Sequence, residues 1–143
     1  MPVGVSAYVP LATKTLTATQ ASVTFSSISQ AYKDLVLVCS MSNTVGNGAF
    51  LIRLNSDTGA NYNWVRMFGD GTSTSSDFTT TTSATIGNFG ASQSNSQLSI
   101  MDYSATDKHK TILSRTNDSN YIVSANAARW ASTSAVTSFI VYP

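Results

Sequence analysis

Asp57 and Asp70 are the carboxylates whose placement could do chemistry, because they bracket one apolar stretch, and two carboxyls facing each other across a cleft are what glycoside hydrolysis needs. Asn55, Asp57, Asn61 and Asn63 could offer oxygen ligands to a calcium ion from one loop, with Asp70 beyond them. Their spacing does not match the twelve-residue calcium loop. Asp and Asn beside Gly59 are also what turns use to cap their own backbone. The single histidine, His109, lies between Lys108 and Lys110, and no G-x-S-x-G elbow supplies it with a nucleophile. One histidine and one cysteine are too few for a structural zinc site. The chain therefore reads as a protein that binds rather than an enzyme, with no cofactor and no metal.

Aromatic side chains offer a different chemistry, since exposed rings stack on the apolar faces of sugars. Tyr62, Trp64 and Trp130 are the candidates for host-glycan contact, with Arg66 as hydrogen-bond partner. Core packing competes for the same rings.

The elements that must position these residues are strands. Charged residues make up 10% of the 143-residue chain, against about 25% for a typical soluble domain. All seven acids are Asp, and serine and threonine abound. Such a composition suits half-buried strands and tight turns and disfavours helices. A net charge of +1 gives no electrostatic reason to expect nucleic acid. No run approaches the roughly 20 apolar residues that span a bilayer, so no membrane is expected. The opening MPVGVSAYVP lacks the basic and apolar regions of a signal peptide.

Leu51–Leu54 and Tyr62–Phe68 read as a hairpin across the polar loop 55–61, with Tyr62, Trp64, Arg66 and Phe68 on one face and Asn63, Val65 and Met67 on the other. Leu35 to Met41 is continuously apolar and reads as a central strand buried on both faces, with Cys39 a buried thiol. Residues 11–19 and 23–25 read as strands, and so do 98–103, 110–115, 121–130 and 136–142. Residues 69–85 offer little to bury except Phe78 and read as a loop. Short strands between turn signals predict an all-β fold, an antiparallel β-sandwich or jelly roll, as one domain over 11–143. Residues 1–10, with Pro2 and Pro10, read as an extended N-terminal arm whose Val3, Val5, Tyr8 and Val9 could anchor on a neighbouring subunit.

Three segments carry a resemblance. Tyr32-Lys33-Asp34-Leu35 opens one strand, Leu54-Asn55-Ser56-Asp57-Thr58-Gly59-Ala60-Asn61-Tyr62 forms the central loop, and Trp130-Ala131-Ser132-Thr133-Ser134-Ala135-Val136 precedes the last strand. Together, over residues 21–69 and 98–142, they resemble a group of small tailed-bacteriophage (cyanophage-like) virion proteins; Ser56 stands where that group usually has glycine. The resemblance implies a virion structural protein, either a capsid decoration (cement) protein or a tail-fibre part. The expected partners are the major capsid protein and copies of the chain itself, as a homodimer or homotrimer, on the capsid surface of a particle assembled in the host cytoplasm. A glycan-binding tail module is the alternative.

Overall fold

The computed structural model describes residues 8–44, 46–118 and 122–143, and among these the chain is all-β, with two antiparallel sheets packed as a sandwich. Ten strands form: β1 (Val23–Phe25), β2 (Leu35–Met41), β3 (Gly48–Leu54), β4 (Tyr62–Gly69), β5 (Thr74–Thr81), β6 (Ala84–Phe89), β7 (Ser94–Met101), β8 (Lys110–Asn117), β9 (Val123–Trp130) and β10 (Phe139–Tyr142). One sheet runs β1-β10-β3-β6 and the other β2-β7-β8-β9-β4-β5. Only β4–β5, β7–β8 and β8–β9 join as hairpins within a sheet; the remaining connections cross from one sheet to the other.

Period-two alternation does most of the folding. In β8, Lys110, Ile112, Ser114 and Thr116 are buried while Thr111, Leu113, Arg115 and Asn117 are exposed. β7 and β9 follow the same rule, so the six-stranded sheet turns one face to the core and the other to solvent. Across the core, Ile52, Leu54 and Ile86 of the smaller sheet meet Ile100, Ile112, Tyr62 and Trp130 of the larger one. One end of the interior is polar instead: Ser94, Ser96, Ser114, Thr116, Ser124 and Asn126 are all buried.

That polar end has a geometric cause. The β3–β6 register slips between Phe50 and Leu51, leaving Ile86 as an extra residue in a bulge beside Gly87, whose φ is +148°. The carbonyl of Ile86 accepts hydrogen bonds from the hydroxyls of Ser114 (2.8 Å) and Thr116 (2.9 Å). Small hydroxyl side chains thus let the two sheets approach and satisfy the displaced backbone.

Four expectations are corrected. Leu51–Leu54 and Tyr62–Phe68 do not form a hairpin: β3 and β4 belong to different sheets, and 55–61 is the corner between them. β2 lies at an edge, not the centre, with Val38 75% exposed, because only its inward residues meet the core. Residues 74–81 form a regular edge strand on β4, and Phe78 is 82% exposed rather than an anchor. Residues 11–19 form no strand; every side chain there is exposed, so no apolar stripe holds them to a sheet.

Candidate functional site

The outer face of the six-stranded sheet is assembled by register. Val36, Ser99, Leu113, Ala127, Val65 and Phe78 stand side by side, one from each strand, in a single rung. The next rung holds Val38, Gln97, Arg115, Ala125, Met67 and Ser76. Val38, Val65, Met67, Phe78, Leu113 and Val123 are all exposed large apolar residues on this side. Scattered single apolar residues are ordinary on a protein surface, but a patch unbroken over four strands, Leu113, Ala127, Val65 and Phe78, with Val36 and Val38 beyond the polar Ser99 and Gln97, marks an interaction surface.

Shallow open hollows lie on this face, where Ala125 and Ala127 sit low between Val65, Met67, Leu113 and Arg115. Arg115 and Arg129 are the charges on the outward positions of the six-stranded sheet, and no acid accompanies them there. Arg129 is already bonded to the Asn63 side-chain oxygen. The surface suits contact with another macromolecule. It lacks the deep concavity that encloses a small substrate.

The proposed sugar-stacking residues lie elsewhere. Tyr62 is fully buried and Trp130 nearly so, their rings stacked at 6.5 Å between the sheets. Trp64 shares their inward face and packs against the core. Arg66 is clamped to Asp77 through Nε (3.1 Å) and Nη2 (2.7 Å), reaches Asn88 Oδ1 at 2.6 Å, and lies over the Phe68 ring. The four are therefore brought together on one side of β4 and β9, with Tyr62 and Trp130 in the interior and Trp64 and Arg66 half-buried beside them. Alternation correctly grouped Tyr62, Trp64 and Arg66; what it lacked was which face is inside, since Val65 and Met67 opposite are equally apolar.

The carboxylates are committed to turns. Asp57 accepts hydrogen bonds from Trp130 Nε1 (2.6 Å), Asn61 Nδ2 (2.8 Å) and Gly59 N (2.8 Å), and these hold its carboxyl below the usual range, the Trp130 bond most of all. Asp70 accepts from the backbone N–H and hydroxyl of both Thr72 and Ser73, which likewise lowers it. β4 separates the two carboxyls by roughly 23 Å of extended chain, too far for a paired acid and nucleophile. Asn55 Oδ1 accepts from Thr137 N and Ser138 N, Asn61 is bonded to Asp57, and Asn63 donates to Thr80, so the four residues serve three separate tasks and form no calcium cage. Among the described residues no group of three His, Cys or acidic side chains could hold a metal ion.

Two further placements matter. Tyr8 and Val9 are exposed; Val3 and Val5 lie outside the described residues. Lys110, one of the scattered basic residues of the sequence, is fully buried on the inner face of β8, its Nζ donating to the carbonyls of Lys108 (2.8 Å) and Thr133 (3.3 Å). Burial lowers the pKa of that amine, and its position on the alternating inward and outward pattern of β8 was the signal that could have found it.

No known family model matches the chain, and neither a curated protein nor a solved structure does.

Proposed function

We propose that this chain is a structural protein of a tailed-bacteriophage virion, a capsid decoration protein that binds the major capsid protein lattice through the outer face of its six-stranded sheet. The observation that carries the reading is the largely apolar rung Val36–Ser99–Leu113–Ala127–Val65–Phe78, which crosses all six strands on the solvent side. A face with few charges desolvates at lower cost than an ionised one, so it suits burial against a protein lattice.

Two further features support the reading. The resemblance of residues 21–69 and 98–142 to small virion proteins points the same way. So does strand order: with the β8–β9 hairpin set aside, the sheets read β1-β10-β3-β6 and β2-β7-β4-β5, and we infer a jelly roll widened by one inserted hairpin. Jelly rolls recur in viral capsid proteins, although fold alone does not assign function. Against the alternative of a glycan-binding tail module stand the burial of Tyr62 and Trp130 in the core and the packing of the half-buried Trp64 against it.

Co-sedimentation with phage heads stripped of decoration tests the proposal. Val65→Lys and Leu113→Lys, both at exposed positions, are expected to abolish binding while thermal stability stays unchanged. Undiminished binding by both variants would refute the assignment of this face.

A further inference from the structure

β5 is the least covered strand of the fold. Six of its eight residues are exposed, because the six-stranded sheet is wider than the sheet it packs on and β5 overhangs it. It therefore presents solvent with both faces and a full hydrogen-bonding edge. Its pairing with β4 runs without a bulge from Tyr62↔Thr81 to Gly69↔Thr74, so that edge is straight. Proteins normally blunt such an edge with lysine, proline, a bulge or shortness. Of the other edges of the described fold, β1 has three residues and β6 is buried and bulged at Ile86; β2 is as straight as β5, but Leu35, Leu37, Cys39 and Met41 hold one of its faces against the core. β5, TSSDFTTT, has none of these protections and displays Phe78 at 82% exposure.

We propose that β5 pairs with β5 of a second copy of this chain, antiparallel across a twofold axis, joining two six-stranded sheets into one of twelve strands. Charge selects this occupant. The sole charge on β5 is Asp77, and Arg66 neutralises it within the same copy at 2.7 Å, so two edges meet without an uncompensated repulsion. Charge also excludes one register, and Phe78, the only large apolar residue of the strand, points to another. In antiparallel self-pairing, facing residues lie on the same side of the sheet, so the axis passes through one residue and its own equivalent. An axis at Asp77 would set the two carboxylates directly opposite, which is destabilising. An axis at Phe78 places Phe78 against Phe78 on the outer side, Asp77 against Thr79, and Ser76 against Thr80. The apolar rungs of both copies then become one continuous strip through the aromatic pair. This inference does not rest on what the outer face binds.

Light scattering across a concentration series tests it. The 15.1 kDa chain is expected to reach twice that mass as concentration rises. Phe78→Lys should weaken the dimer by about tenfold or more, since the substitution is carried twice at the axis, and far-UV circular dichroism should show the β fold intact. Phe78→Cys in a Cys39→Ser background should oxidise to a covalent dimer, because facing Cα atoms about 4.5–5.5 Å apart lie within disulfide range. A chain monomeric at every concentration would overturn the proposal, as would a dimer that Phe78→Lys leaves unmoved. A dimer lost on Val38→Lys but not on Phe78→Lys would assign the contact to β2 and overturn it too. One lost only on deleting residues 1–10 would assign it to the N-terminal segment and would equally defeat the β5 pairing. Lattice binding that survives while dimerisation fails separates this proposal from the one above.

Discussion

Trp130 Nε1 donates a 2.6 Å hydrogen bond to the Asp57 carboxylate, tying the end of β9 to the corner where the chain passes from β3 to β4. The indole lies on the Tyr62 ring, and the Tyr62 hydroxyl accepts from Leu54 N at 2.9 Å. Corner, ring pair and strand end are thus one connected unit, in which a turn carboxylate satisfies the polar edge of a core tryptophan.

Asp57→Ala should destabilise the fold by about 1–3 kcal/mol, the cost of leaving a buried donor without its charged partner. Urea unfolding followed by tryptophan emission measures it. Because the folded carboxyl is held below its usual pKa, its contribution is present above the unfolded value and lost as pH falls through the folded one. Thermal midpoints taken down an acid series should therefore fall less steeply for Asp57→Asn than for the parent chain.

Tyr62 shows the opposite sign. Burial pushes its hydroxyl up to about 12 from the ordinary 10.0, so the stabilisation is complete below that ordinary value and lost as pH rises through the folded one. Ultraviolet titration of the folded protein should show Tyr62 among the late-ionising tyrosines, with Tyr103, which burial also raises, and the late step should shrink in Tyr62→Phe. The same variant leaves Leu54 N without its hydroxyl acceptor and should cost about 1–2 kcal/mol.

Gly87→Ala should be among the most damaging single changes in the smaller sheet. Its φ of +148° disfavours any side chain, and a methyl there would overlap Oγ1 and Cβ of Thr116. A loss of about 3 kcal/mol or more is expected from strain plus overlap, read as a lowered denaturant midpoint. Thr116→Gly in the same chain should recover part of it.

Cys39 should resist thiol reagents at neutral pH until the protein unfolds. Burial pushes its thiol up to about 11, which leaves almost no thiolate to react. Labelling that is as fast in native buffer as in denaturant would contradict the placement of Cys39 against the core.

The sheets were legible where inward and outward residues differ in kind. Ile112 and Ser114 against Thr111 and Arg115 fix both the strand and its facing in β8. The sequence was mute where they do not differ. Leu35 to Met41 is apolar throughout, and such a run says nothing of whether a neighbour covers its far side, so an edge strand read as a central one. Thr74–Thr81 has almost nothing to bury; it is a strand because β4 offers a ladder, a tertiary cause invisible locally. The corner 55–61 read as a hairpin loop because its Asx and Gly chemistry is that of a turn, whichever sheet the chain enters next. At the candidate site, Val65 and Met67 were seen to oppose Tyr62 and Trp64, but neighbouring strands decide which set faces water.

The alternation of successive strands between sheets has a kinetic consequence. From β1 to β4 each new strand lands opposite its predecessor, so none of these early pieces can pair until later chain arrives; β1 waits for β10, and β2 for β7. The hairpins β4–β5, β7–β8 and β8–β9 are the local contacts available to a nascent chain, and nucleation should concentrate there. A topology so dominated by distant pairings folds on the order of milliseconds to seconds. During that interval the β4–β5 ribbon, Phe78 included, is among the first surfaces a neighbouring molecule would meet.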